Sequence, residues 1–312
     1  MSPLVSVVIP TKNRPEPLAE ALRSVAAQTV DEVEVVVVND GGVDVSHVIA
    51  EFAGELSTQL VNRDSSQGVG DARNAALDVA RGKYVSFLDD DDLYLPGHLA
   101  RALKVLEQGD VDFVHANAGV RTDRGAPVEQ TARNYDLPSD VEFLHVLNFV
   151  PPLSVVCRNP RDLPGARFDV DLPLCEDWEM WLRLIRVHGY RCANVPEVTA
   201  IYHRLENSSS MTADADYNLD GFQSFFDCWK RICARYPVAA DSRAARYRQF
   251  GVLMHEIIIE RLIANVQLPH LYYEDILHIL FDGFTGKYPD DEVRARMETL
   301  LDSARQSDAM TS

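Results

Sequence analysis

The sequence predicts an α/β protein: a doubly wound, Rossmann-like, mostly parallel sheet within residues 1–213, followed by a helical C-terminal extension over 214–312. Three observations predict it. Short apolar runs alternate with helix-periodic segments through the first 120 residues. The strongest of those runs end in polar or acidic loops, as strands do where an open sheet binds ligand at its carboxyl edge. Beyond residue 214 the pattern is helical alone.

Val5 to Ile9 is a near-continuous β-branched run, typical of a strand covered on both faces. Pro15 and Pro17 suit the first turn of a helix that carries Leu18, Ala21, Leu22 and Val25 at helical spacing. Val33 to Val38 reads as a second buried strand, ending in Asn39-Asp40-Gly41-Gly42. A weaker strand, Gln59 to Asn62, leads through the Gly68–Gly70 turn into a helix running to about Arg81 and closed by Gly82. Tyr84 to Leu88 is the next strand, followed by an acid run, a helix from Gly97 to Glu107 and a strand near Asp112 to Ala116.

From 121 to 150 the pattern loosens around Pro127, Pro138 and the Pro151-Pro152 pair. A helix returns over 176–188, with Trp178, Trp181, Leu182 and Ile185 on one face, and short strands follow near 190–195 and 198–202. The extension reads as helices at Phe222–Tyr236, Arg243–Asn265, Tyr272–Phe281 and Asp290–Ser303. Its apolar stripe of Phe250, Leu253, Ile257 and Leu262 is expected to pack against the first domain, with homodimerisation as the alternative.

Composition narrows the partners. At 312 residues the chain can hold one large domain, or one domain with an appendage. A formal charge of −18 argues against nucleic acid and anionic membrane as electrostatic partners. It leaves a nucleotide substrate open, because a cation and a few Arg residues can reverse the field within one cleft. No apolar run has the length to span a bilayer, and no basic-then-apolar leader opens the chain. The five Cys residues (157, 175, 192, 228 and 233) are odd in number and lack paired metal spacing. They read as reduced thiols of a cytoplasmic protein.

The chemistry concentrates in Phe87-Leu88-Asp89-Asp90-Asp91-Asp92. Four consecutive carboxylates at a strand's end repel one another unless a cation neutralises them, and hard oxygen ligands suit magnesium or manganese. Such an ion commonly holds a diphosphate. Two further loops are expected at the same edge: Pro10-Thr11-Lys12-Asn13-Arg14 and the loop containing Asp40, a carboxylate that can accept from a base N–H or simply form a turn. Arg73, near a helix start, can face a phosphate, brace the acids or form a surface ion pair. Asp177 opens a helix, where it is either a capping acid or a general base made weak by the helix N-terminus. His203 follows a strand, beside the polar run Asn207–Ser210, as a structural residue or a neutral metal ligand.

Taken together, these segments resemble the family-2 glycosyltransferases of the GT-A fold. Ser6 to Arg14 is similar to the family's opening strand and loop, and Val35 to Gly41 to its second strand. Gly68 to Asn74 resembles its Gly-x-x-x-Ala-Arg-Asn segment, and Phe87 to Pro96 its D-x-D strand and loop. Arg167-Phe168-Asp169 and Glu176-Asp177-Trp178 resemble its acceptor-side motifs. Two motifs depart from the family pattern: Asn39-Asp40-Gly41-Gly42 stands for Asp-Asp-Gly-Ser, and Tyr202-His203-Arg204-Leu205 for Tyr-Arg-x-His.

The resemblance implies an inverting, Mn2+- or Mg2+-dependent transferase that moves a sugar from a nucleotide-diphosphate sugar to an acceptor hydroxyl, with uridine the commonest base. Residues 1–120 would then form the donor half and 121–213 the acceptor half. Pro10, Thr11, Arg14 and Asp40 are expected at the nucleoside, Arg73 at the pyrophosphate or the acids, and Asp89 or Asp90 toward the ribose. Asp91 and His203 are the expected metal ligands, and Asp177 the base. Two alternatives stand beside this reading: a sugar nucleotidyltransferase, which lacks its glycine-rich loop here, and a non-catalytic sugar-nucleotide-binding or scaffold protein.

Overall fold

A computed structural model describes residues 3–125, 130–205 and 218–302. Pro127, the Asn207–Ser210 run, the 213/214 boundary and Ser303 lie outside the described residues. The described residues fall into two compact units, one drawn from 1–139 and 150–204, the other from 140–149 and 205–312.

The first unit alternates strand and helix: β1 (Val5–Thr11), α1 (Pro15–Ala26), β2 (Val33–Asn39), α2 (Ser46–Glu51), β3 (Ser57–Asn62), α3 (Val69–Val79), β4 (Tyr84–Phe87), β5 (Leu93–Tyr94) and α4 (His98–Leu106). It continues with β6 (Phe113–Arg121), β7 (Arg133–Tyr135), β8 (Val155–Arg158), α6 (Glu176–Arg186) and β9 (Cys192–His203). The sheet order is β3-β2-β1-β4-β8-β6-β9-β5, with β7 on β6. β3, β2, β1 and β4 are all parallel, and β6 runs parallel to β9. Antiparallel β8 sits between β4 and β6, so the sheet is mixed, with the parallel half carrying the loops that follow β1, β2 and β4. The alternation of strand and helix is the one that the sequence predicts.

The parallel half reads so plainly because its strands are buried on both faces. Every residue of β1 is buried, and so is all of β2 after its first position. α1 starts on Pro15 and lays Leu18, Ala21, Leu22 and Val25 on the sheet. Gly82 does not close α3, which ends at Val79. It lies where a Cβ would come within 2.5 Å of the Ser6 backbone nitrogen, so glycine is required there by close approach.

The two strands expected near 190–195 and 198–202 are one strand, β9. Ala116 pairs with Val195 and Asn117 with Val198, leaving Pro196 and Glu197 as a bulge that interrupts the apolar pattern. Asn117 donates to the Pro196 carbonyl at 2.7 Å and so stabilises the bulge.

In the second unit, α5 (Val141–Leu144) joins α7 (Leu219–Arg235), α8 (Arg243–Ile263), α9 (Tyr272–Phe284) and α10 (Asp290–Asp302). Phe143 packs its ring against Phe149, Phe281 and Phe284, and Trp229 Nε1 donates to the Val146 carbonyl. Arg248 donates to the carbonyls of His145, Cys233 and Tyr236, closing the end of α7. The fully buried face of α8 is Tyr247, Gly251, Met254, His255 and Ile258, rotated from the Phe250-Leu253-Ile257-Leu262 stripe. Gly251 and His255 do not score as apolar, yet both face Trp229. All five cysteines are free, and no helix among the described residues is long and apolar enough to cross a membrane.

Candidate active site

Three loops meet at the carboxyl ends of β1, β2 and β4. Pairing sets their heights: Leu88 donates its N–H to the Val8 carbonyl, and Asp40 donates its own to Thr11. Asn13 adopts a left-handed φ of 58°, and its side-chain oxygen accepts from Val43 N–H at 2.9 Å. Gly41, at φ 70°, brings the second loop so close to Ser65 and Ser66 that a Cβ would lie 2.6 Å from their backbone.

Pro10 is a buried β1 residue opposite Val38. Thr11 donates to Asp90 at 2.7 Å. Arg14 reaches both Asp90, at 3.1 Å, and Asp91, at 2.7 Å. Thr11 and Arg14 therefore hold the acid loop directly. Burial raises the Asp90 carboxyl first and Asp91 second, to about 7, while Thr11 and Arg14 oppose that shift. Asp91 is raised as well, by burial and then by Asp89, against Arg14 and Arg124.

Asp40 is buried and already organises its surroundings. It accepts from Ser66 Oγ at 2.6 Å and from the N–H groups of Gln67 and Gly68, and Arg63 lies 3.6 Å away. The carboxylate thus shapes the loop that precedes α3, a role that the Asp-Gly turn signal only partly conveys.

Arg73 on α3 is fully buried and bridges two loops. Nη2 donates to Asp89 at 2.7 Å and Nη1 to Glu176 at 2.6 Å, with the Phe168 ring centroid 5.5 Å from the guanidinium carbon. Burial would lower its pKa, but Asp89, Glu176 and Asp177 outweigh that and raise it. Asn74 exchanges hydrogen bonds with the Phe168 backbone at 2.8 and 2.9 Å, tying α3 to the loop that precedes α6.

α6 begins after Cys175, whose left-handed φ of 61° turns the chain into the helix. Asp177 Oδ1 accepts from Trp178 N–H at 2.7 Å. Its carboxyl is pushed up, by burial and then by Glu176, against the pull of Arg73. That reverses the sequence expectation of a weak base: the helix N-terminus favours the ionised form, but burial and Glu176 outweigh it. Trp181 anchors the helix against Phe87, Phe113 and Phe168 and donates to the Val150 carbonyl.

His203 closes β9 beside the acid loop. Its Nδ1 contacts the Asp91 carbonyl at 2.6 Å, which requires Nδ1 to carry the proton, and its N–H donates to Asp92 Oδ1 at 2.9 Å. Burial pushes the ring down to about 4, so it is neutral. Nε2 is then a bare lone pair, and both it and Asp92 Oδ2 are buried without a hydrogen-bond partner. A neutral imidazole with Nδ1–H on a carbonyl, next to carboxylates, has the donor chemistry of a manganese or magnesium site. Among the described residues no three His, Cys, Asp or Glu side chains converge on one point, so the ligand chemistry is present without an assembled cage.

Sequence reasoning missed two contributors. Glu176 is visible only as part of a motif, because nothing local reveals its partner 103 residues away. Arg124 donates to the Asp91 carbonyl at 3.0 Å from a stretch without periodicity.

Comparison with known proteins agrees with this architecture. The sequence model of Glycosyl transferase family 2 matches residues 6–160. An uncharacterized glycosyltransferase, YwdF of Bacillus subtilis, is 32% identical over 214 residues, covering 67% of this chain and 78% of that protein. The S. aureus TarS 1–349 structure in complex with UDP superposes with a TM-score of 0.58 at 18% identity, over 96% of this chain and 86% of that one. The mannosyltransferase PcManGT from Pyrobaculum calidifontis, in complex with GDP-Man and Mn2+, gives a TM-score of 0.56 at 20% identity, over 98% and 86%. With a GT-A sheet, its loops converging at one edge, and these relatives, the chain belongs to the family-2 glycosyltransferases.

Proposed function

We propose that this glycosyltransferase moves a sugar from a UDP-sugar to an acceptor hydroxyl with inversion, using Asp177 as general base. The observation that carries the reading is the Arg73 bridge, which joins the acid loop at Asp89 to the start of the helix bearing Asp177. Donor-side charges and a carboxylate of raised pKa are thereby held in one compact unit. The uridine assignment draws on TarS, solved with UDP, and the manganese assignment on PcManGT, solved with Mn2+.

Thr11, Arg14 and the Asp40-ordered loop form the nucleoside side, with Pro10 packed beneath them. Asp89 and Asp90 face the ribose, and Asp91 and His203 would hold the metal. When bound, the divalent cation supplies positive charge that stabilises the departing diphosphate. Arg14, on the loop after β1, adds fixed positive charge against the acid loop. Asp177 accepts the acceptor's hydroxyl proton as that oxygen bonds to the anomeric carbon. The bond from that carbon to the phosphate oxygen breaks on the opposite face, and its electron pair leaves with the nucleoside diphosphate.

A panel of UDP-sugars incubated with manganese tests this reading through release of UDP. The expected result is turnover of one donor by the wild-type chain and loss of it in Asp177→Asn with donor affinity retained. Unchanged turnover in that variant would remove Asp177 as the base.

A further inference from the structure

The acid run folds as a four-residue turn. Asp92 N–H donates to the Asp89 carbonyl at 3.1 Å, which puts Asp90 and Asp91 at the two central positions. The Asp91 carbonyl is not the acceptor of that turn bond, yet both of its lone pairs are engaged. His203 Nδ1 donates to it at 2.6 Å and Arg124 Nη2 at 3.0 Å. Arg124 is held in turn. Its other arm, Nη1, pairs with Glu20 on α1 at 2.6 Å. Arg121 Nη2 donates to the carbonyls of Asp123 and Arg124 at 3.1 and 2.9 Å, and Asp123 Oδ1 accepts from Gly125 N–H at 2.8 Å. The stretch that carries Arg124 is thereby bonded into a turn of its own. One guanidinium ties three segments distant in sequence: α1, the acid loop and the chain beyond β6.

We propose that Arg124 is a positioning residue of the acid loop: with His203 it grips the Asp91 peptide and sets the direction in which the Asp91 carboxylate is presented, while Glu20 keeps it in place. The inference rests on Asp91 being a metal ligand. Arg124 bonds the backbone of Asp91, whereas Arg14 bonds its carboxylate. That difference gives the proposal a sign. As a charge alone, a guanidinium beside carboxylates repels a divalent cation, so removing it would tighten metal binding. As an orienting group it does the reverse, because a ligand released from its hydrogen-bonded supports loses affinity for the ion.

The test is manganese titration of the full chain, with free Mn2+ read by electron paramagnetic resonance, in wild type, Arg124→Met and Asp91→Ala. Arg124→Met removes donor and charge together and is expected to weaken manganese affinity by about tenfold. Arg124 is 27% exposed, so the change leaves the core untouched. If the methionine variant nevertheless fails to fold, Arg124→Gln takes its place with the same expectation, its side chain being too short to span Glu20 and the carbonyl.

Unchanged affinity would leave Arg124 as a structural tie to Glu20, and tightened affinity would leave it as a charge acting through space; either result overturns the proposal. No manganese binding by the wild type, or affinity undiminished in Asp91→Ala, overturns Asp91 as a ligand instead, and the proposal with it.

Discussion

Asp177 and Asp91 are both half-buried carboxyls of raised pKa, but they differ in what holds them. Asp91 is paired with Arg14 and its backbone carbonyl is gripped by His203 and Arg124, whereas Asp177 is pushed up by burial and its neighbour Glu176. Two predictions follow from that difference. Asp177→Asn is expected to lower transfer by about 10²- to 10⁴-fold with nucleotide affinity kept. Asp91→Ala is expected to remove the metal-dependent part of nucleotide affinity, read by calorimetry with manganese against EDTA; undiminished manganese-dependent binding would withdraw Asp91 as a ligand.

The pH dependence of turnover reads the same residue. The base must be ionised, and its pKa is raised, so the rate falls on the acid side above the ordinary Asp value of about 3.9. An acid limb at or below that ordinary value would contradict the burial and Glu176 argument.

At the scale of elements, the parallel strands were legible because burial on both faces writes continuous Val and Ile runs, as in Val35-Val36-Val37-Val38. β5, β7 and β8 were not: each has four residues or fewer, and β5 and β8 pair antiparallel with strands distant in sequence. α2, of six residues, and α5, of four, are likewise too short to show a period. The candidate site followed the same rule. The candidates at strand ends were legible from the strands that precede them, whereas Glu176 and Arg124 contact the site from segments distant in sequence.

The element contacts also predict stability. Trp181 holds α6 against β4 and β6 through Phe87 and Phe113, so Trp181→Ala is expected to cost about 3–5 kcal/mol, measured by denaturant unfolding. Gly82→Ala is expected to cost about 1–3 kcal/mol, because its methyl group would collide with β1. Gly54→Ala, with nothing within 4 Å, is the control and is expected to stay within about 0.5 kcal/mol of wild type. Equal effects at both glycines would refute the close-approach account of Gly82.

For the whole molecule, buried neutral histidines set the response to acid. In the second unit, His255 stacks on Phe225 and Phe226 and packs against Phe222 and Trp229, and burial pushes it down to about 3. The unfolded chain takes up that proton near pH 6.5 and the folded chain does not until about 3, so this contribution is present above pH 6.5 and lost as pH falls toward 3. His255→Phe is therefore expected to lose less stability than wild type between pH 7 and 5 in denaturant melts, and an equal loss would count against it. The same whole-molecule view frames the donor site. To hold a diphosphate, a chain of net charge −18 would have to reverse its field locally, and Arg14, Arg73 and Arg124 are the cations that contact the acid loop.

The most direct test of that claim is calorimetric titration of UDP, GDP and dTDP into the full chain, each with manganese and with EDTA. Tight binding of UDP that requires manganese and is lost in Asp91→Ala is the predicted result. Binding of no nucleotide, or binding of UDP that is indifferent to EDTA, would contradict the assignment of the acid loop as a metal-dependent donor site.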